Sequence, residues 1–202
     1  MFNIAVFCSG NGTNLQALIE AEKKKKLHAH IALVVSDNDE AYALNRAARA
    51  GIKYLVIKRA SFVSRSEFEK EIIRQLKKEN IKLIVLAGFM RMLGAELLSA
   101  YKNKVINIHP ALLPSFKGAH GIKDAFEYGV KVTGVTVHFV DIEMDHGPII
   151  MQESVALRAN DSLGSLEARI HAVEHALYYK VVSSIARGRV KIKGRKVVIA
   201  ND

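Results

Sequence analysis

Residues 3–23 read NIAVFCSGNGTNLQALIEAEK, and the order of textures in this stretch decides the fold. Asn3–Cys8 is short and near-continuously apolar, as a strand buried on both faces of a parallel sheet must be. SGNGTN, residues 9–14, follows with two glycines, and Leu15–Lys26 then carries a helical pattern. A strand, a glycine turn and a helix make one βα unit, with the turn where a helix N-terminus offers free backbone N–H groups to an anion. Gly10 and Gly12 permit the close turn, while Thr13 and Asn14 add side-chain donors. A tight turn capped by Thr13 or Asn14 accounts for the same residues without a ligand. The segment lacks the Gly-Lys-Ser/Thr ending of a phosphate loop, and Leu15 stands where a full G-x-G-x-x-G has its third glycine.

The unit recurs along the chain. Strand-length apolar runs at Ile31–Val35, Tyr54–Ile57, Leu83–Ala87 and Val105–Ile108 alternate with helical patterns at Ala41–Ala50, Arg65–Glu79 and Ala95–Tyr101. Ser64 with Glu67 three residues on marks the start of the third helix. Repeated βα predicts an α/β fold, a doubly wound and mostly parallel sheet with a Rossmann-like N-terminal half. After residue 109 the texture changes: all three prolines fall between 110 and 148. Two more strands, Gly134–Val140 and Ile149–Val155, are joined by the polar DIEMDHG. An amphipathic helix over 163–186 follows, capped by Asp161 or Ser162, stopped by Gly188, with Leu166, Ile170, Val173, Leu177 and Val181 as its buried stripe. RVKIKGRKVVI, residues 189–199, alternates basic and apolar residues around Gly194 and predicts a hairpin with one wet face. With no repeat or linker, the expectation is one domain, 1–202: a βα half over 1–100, a second half over 101–188 and a basic hairpin tail over 189–202.

Composition removes several function classes. The chain has 202 residues, half of them apolar, with 30 Lys+Arg against 20 Asp+Glu and a net charge of +10. That length buries a full core without staples. The single cysteine, Cys8, excludes an internal disulfide framework and fits a reducing compartment. There is no apolar run of 18 residues and no basic leader, so neither a membrane span nor a signal peptide is expected and the location reads as cytoplasmic. The basic surplus gathers late, in Lys180, Arg187, Arg189, Lys191, Lys193, Arg195 and Lys196, with no acidic residue between Glu174 and Asp202. A nucleic-acid footprint is one account of it; lysines guarding an edge strand are the other. No zinc-finger, RNP or basic-zipper pattern accompanies the charge and aromatics are only 7%, so no nucleic-acid partner is expected.

Three stretches carry chemistry. In Asn107-Ile108-His109-Pro110, strand alternation puts Asn107 and His109 on one face. An amide donor beside an imidazole suits polarising a carbonyl and stabilising the oxyanion formed when it is attacked. In HFVDIEMDHGP, residues 138–148, Asp141, Glu143 and Asp145 crowd into a turn; one of them next to His109 would orient the ring and favour its charged form. His138, Asp145 and His146 are candidate metal ligands, but their spacing matches no common zinc pattern, and no metal is expected. Glu174 falls within the apolar stripe of the last helix, where a carboxylate needs a partner, a ligand hydroxyl being one candidate. GFMRML, residues 88–93, reads either as a core-packing turn or as the apolar wall of a flat-ring site. Cys8 reads as a buried strand residue, and the absence of G-x-S-x-G leaves serine-hydrolase chemistry unsupported.

SGNGTNLQAL, IVLAGFMRML, NIHPALLPSFKGAHG, GVTVHFVDIEMDHGPIIMQ and EARIHAVEHALYY occur in that order. With these segments the chain from Ile4 to about Arg189 resembles the phosphoribosylglycinamide formyltransferases, a folate-dependent family. The resemblance implies transfer of a formyl group from 10-formyltetrahydrofolate to the amine of glycinamide ribonucleotide, in purine biosynthesis. It implies Asn107, His109 and Asp145 as the catalytic trio. For the ribonucleotide it implies Gly12, Thr13 and Asn14, with His171, Ala172, Val173 and Glu174. For folate it implies Arg65, Met90, Arg91, Met92 and Leu93, with Asn107 and with Asp141, Ile142, Glu143, Met144 and Asp145. It further implies small-molecule substrates handled by a monomer or weak homodimer, and it gives no role to His146 or to the hairpin after Arg187. Formyltetrahydrofolate hydrolases are similar but carry an extra N-terminal domain and His in place of Pro110. Methionyl-tRNA formyltransferases differ in the first loop and add a C-terminal domain. A dinucleotide oxidoreductase would need an acidic residue closing strand two, for which Ser36-Asp37 is the only candidate.

Overall fold

The computed structural model describes residues 1–200. The N-terminal half follows the βα rhythm: β1 (Asn3–Phe7), α1 (Thr13–Lys23), β2 (His30–Ser36), α2 (Tyr42–Arg49), β3 (Tyr54–Val56), α3 (Arg65–Lys78), β4 (Leu83–Leu86), α4 (Ala95–Ala100) and β5 (Val105–His109). These five strands pair in parallel. A helix not expected from the sequence, α5 (Gly121–Tyr128), then leads to β6 (Val132–Phe139) and β7 (Ile149–Ala156), which add antiparallel to the same sheet. Strand order is β3-β2-β1-β4-β5-β6-β7. The order reverses between β1 and β4, and the loops after those strands form the crevice where doubly wound sheets bind ligands.

Sheet faces sort the side chains. Ile4, Val6, Val34, Val85, Ile106 and Val137 point into a core shared with α1, α2 and α6 (Leu163–Ala186). Ala5, Phe7, Val35, Ile84, Leu86 and Val105 point the other way, into a core shared with α3 and α4. Strands in contact with helices on both sides must be apolar at every position, which is why they lack alternation. Leu166, Ile170, Val181 and Val182 on α6 are fully buried, each worth about 1.5–3 kcal/mol of burial. Val173, expected in that stripe, is only partly buried. Ser162 caps α6, exchanging hydrogen bonds with Ser165 at 3.0 and 3.2 Å.

The hairpin forms as expected, β8 (Val190–Lys193) with β9 (Lys196–Ile199). Val190, Ile192, Val197 and Ile199 pack on the core while Lys191, Lys193 and Lys196 face solvent. Among the described residues no helix is long and apolar enough to cross a membrane.

Candidate active site

On β5, Asn107 and His109 share the sheet face of Leu86 and Val105, and the cross-strand partners on β6 are His138 and Thr136. Val105, at the start of that face on β5, packs with α3 and α4, while further along the strand the segments after His109 and after Phe139 reach the site residues. The second of these brings Asp145 down between two buried imidazoles, its carboxylate 3.5 Å from His109 Nδ1 and 3.7 Å from His138 Nε2. The Gly118 N–H donates to the same carboxylate at 2.9 Å. Burial pushes Asp145 up, but its interactions with the His138 ring, the Gly118 N–H and the His109 ring outweigh it and hold the carboxyl below its usual range. Asp145 adopts a left-handed φ of 48°, a conformation Asp tolerates and one that recurs at functional sites.

Asn107, His109 and Asp145 thus lie around one point, with two features the sequence did not suggest. His138, which the sequence offers only as a metal-ligand candidate, joins them: its Nε2 lies 3.3 Å from the Asn107 amide nitrogen, and its Nδ1 lies 2.8 Å from the Phe139 carbonyl. An NH₂ has two protons, so Asn107 keeps at least one for a ligand oxygen whether or not His138 Nε2 carries a proton. His109 faces an acceptor at each ring nitrogen, Asp145 on one side and the Phe116 carbonyl at 2.7 Å on the other. That arrangement accommodates a doubly protonated ring, but direct donation to a ligand requires Nε2 to leave Phe116. The loop bearing Phe116 is itself fixed: Thr136 Oγ donates to the Ala111 carbonyl at 2.7 Å and accepts from the Leu113 N–H at 3.1 Å.

The second cluster lies at the N-terminus of α1. Gly12 is its N-cap, in the left-handed region, and no side chain caps the helix, so first-turn N–H groups remain for an anion. A Cβ on Gly12 would lie 2.7 Å from that of Ala43; the glycine serves the packing of α2 as well as the turn. Asn14 Nδ2 lies 3.4 Å from Glu174, and Glu174 accepts from His171 Nδ1 at 2.7 Å. The buried carboxylate found in the stripe of α6 thus has protein partners. Its hydrogen bond with His171 raises the pKa of that imidazole, against the opposing effect of burial. Asn14 Oδ1 is buried with no hydrogen-bond partner among the described residues, a costly state that a ligand donor would relieve. Ala172 is exposed and Val173 partly buried on the same turn of α6.

The folate candidates form two loops with exposed apolar tips, Met90 and Met92 after β4, Ile142 and Met144 after β6. Leu93 is buried in the core, so GFMRML ends as a packing turn, while Met90 and Met92 at its tip are exposed. Arg65 donates to the Met92 carbonyl at 2.8 Å and to Glu69 at 3.0 Å, which ties α3 to this loop. The loop is also bound to the first turn: Ser9 N–H donates to the Gly88 carbonyl at 3.0 Å, and Met90 N–H to Ser9 Oγ at 2.9 Å. Asp37 accepts from Ser9 and from Arg91, both at 2.6 Å, so the one carboxylate available to a dinucleotide ribose is already engaged. A cleft of about 460 Å³ runs along α1 and α6, lined by Thr13, Gln16, Arg46, Ala172, His175 and Tyr179. It adjoins the first turn of α1 and does not include Asn107 or His109.

The structure thus sets an amide, two imidazoles and a carboxylate at the carboxyl end of β5 in a doubly wound sheet, with a helix N-terminus left uncapped after β1. Residues 2–182 match the formyl transferase family model. The chain is 43% identical over 185 residues to phosphoribosylglycinamide formyltransferase of Bacillus subtilis, covering 92% of this chain and 95% of that one. It superposes with a TM-score of 0.96, at 41% identity, on glycinamide ribonucleotide transformylase 1 from Symbiobacterium toebii, covering 100% of this chain and 95% of that one. A formyltetrahydrofolate deformylase from Pseudomonas syringae is similar at 27% identity and a TM-score of 0.90, covering 99% of this chain but 66% of that one. The chain belongs to the formyl transferase family.

Proposed function

We infer that this protein transfers the formyl group of 10-formyltetrahydrofolate to the amine of N1-(5-phospho-D-ribosyl)glycinamide, giving the N2-formyl product and tetrahydrofolate in de novo purine biosynthesis. The observation that carries the reading is Asp145 held between His109 and His138, next to Asn107, in a formyl transferase fold. In this reading the neutral amine attacks the formyl carbon, a C–N bond forms, and the carbonyl oxygen becomes an oxyanion. The free N–H of Asn107 donates to that oxygen, and His109 supplies positive charge beside it. Asp145 orients His109 and stabilises that charge. As the adduct collapses, the bond to folate N10 breaks, the attacking nitrogen loses a proton, and N10 gains one through this network.

Gly12, Thr13 and Asn14 receive the phosphate, and Glu174 with His171, Ala172 and Val173 frames the ribose side. Arg65, Met90–Leu93 and Asp141–Asp145 form the folate side. The polarising groups are all side chains, so the reaction as read here needs no metal. The described residues act as one domain, with 1–100 carrying the phosphate end, 101–188 the chemistry and 189–200 the hairpin tail, whose expected last two positions, 201 and 202, lie outside the described residues. The reading extends to a cytoplasmic monomer or weak homodimer that works on small molecules without nucleic acid or membrane.

Hydrolysis, with water as acceptor, is the second reading, favoured by the likeness to the deformylase. Following the absorbance of the folate product with and without glycinamide ribonucleotide separates the two. Turnover is expected only when the ribonucleotide is present. Equal turnover in its absence would replace transfer by hydrolysis.

A further inference from the structure

The basic hairpin and His146, the two features the family resemblance leaves without a role, meet each other. Arg195 sits in the β8–β9 turn, and its Nη2 donates to the His146 carbonyl at 2.5 Å while Nη1 lies 3.3 Å from His146 Nε2. A guanidinium nitrogen can only donate, so Nε2 accepts and the ring proton is on Nδ1. That nitrogen lies 2.9 Å from Asp141, and Asp141 in turn accepts from the Glu143 N–H at 3.0 Å. One arginine therefore grips the residue next to Asp145 at two points and, through it, the start of the same loop. The arginine is delivered from a firm base, since Val190, Ile192, Val197 and Ile199 pack on the core and β9 lies against β7. The gripped loop needs holding: Asp145 has a left-handed backbone, and Ile142 and Met144 expose apolar side chains.

We propose that Arg195 is a positioning residue and the hairpin a strap that holds the 141–147 loop, and with it the folate side of the site, in its working geometry. The proposal rests on the functional reading above. The test uses the full chain with Arg195→Met, Arg195→Lys and, as a control on the same hairpin, Lys193→Ala. Tetrahydrofolate binding, KM for each substrate, melting temperature and amide exchange of residues 141–147 are measured together. Loss of a two-point charged contact at an exposed site is expected to weaken tetrahydrofolate binding and raise the folate KM about 3–10-fold. Exchange in the loop should speed up, with the ribonucleotide KM and the melting temperature unchanged. Arg195→Lys should recover part of the loss, because lysine can still donate to the His146 carbonyl. Lys193→Ala should match wild type. Unchanged loop exchange or unchanged folate affinity overturns the strap, as does an equal loss for both substrates with a lowered melting temperature. If wild type binds no tetrahydrofolate, the functional reading fails instead, and the exchange comparison alone decides the strap.

Discussion

Asp145→Asn is expected to lower kcat by about 10²–10³-fold, the usual loss when a preorganised charge or donor is removed from a reacting oxyanion. Asparagine tolerates the left-handed backbone at 145 and keeps an oxygen for the Gly118 N–H, so the fold and the ribonucleotide KM should hold and the folate KM should change far less than kcat. What it removes is the charge between His109 and His138. Because Asp145 is held below the usual carboxylate range, its charge is present at neutral and mildly acidic pH and is lost only as pH falls through the lowered value. The variant should therefore be impaired across the whole neutral range. His109→Ala and Asn107→Ala should give losses of the same order. Combining either with Asp145→Asn should fall short of the product of the single effects, since the groups act as one unit. Steady-state kinetics with ligand binding on each variant is the check, and near wild-type turnover in Asp145→Asn would remove Asp145 from the mechanism.

Glu69→Ala is expected to produce the largest loss of stability. Glu69 is buried on α3, and its carboxylate accepts from the Gly94 N–H at 2.6 Å and the Leu97 N–H at 3.2 Å, capping α4 from a distance, while pairing with Arg65. A Cβ on Gly94 would lie 2.2 Å from that carboxylate, so the glycine there makes room for the cap. Two charge-assisted backbone bonds, lost with their donors left buried, amount to about 3 kcal/mol or more. For a chain of this size that is a fall of about 6–12 °C in melting temperature. Arg65 also loses the partner that aims it at the Met92 carbonyl, so the folate KM should rise as well. Calorimetry of Glu69→Ala beside Glu67→Ala, on an exposed face of the same helix, separates a buried cap from a general effect of charge.

The sheet was legible because its strands are buried on both faces: Asn3–Phe7, Leu83–Leu86 and Val105–His109 appear in the sequence as apolar runs within a residue or two of their observed ends. The helix α5 was not, because Gly121, Ile122 and Ala125 are its only buried residues and make too short an apolar stripe to register as a period. Gly129, which ends it with φ 80°, was the signal available. At the site, alternation placed Asn107 and His109 together without any structure. It could not supply His138, because antiparallel pairing with β6 is a long-range register that local pattern does not encode. Glu69 was hidden for a related reason. A single carboxylate within the helical period of α3 looks solvent-facing until the segment from Gly94 to Leu97 is seen folded onto it.

The central claim is that an amine, not water, takes the formyl group at this centre. Its most direct test is a single turnover of 10-formyltetrahydrofolate labelled in the formyl carbon, with glycinamide ribonucleotide present, quenched and separated into ribonucleotide and formate. The account predicts label in the ribonucleotide amide, released in step with tetrahydrofolate, with no matching formate. Label recovered chiefly as formate, at a rate independent of the ribonucleotide, would contradict it.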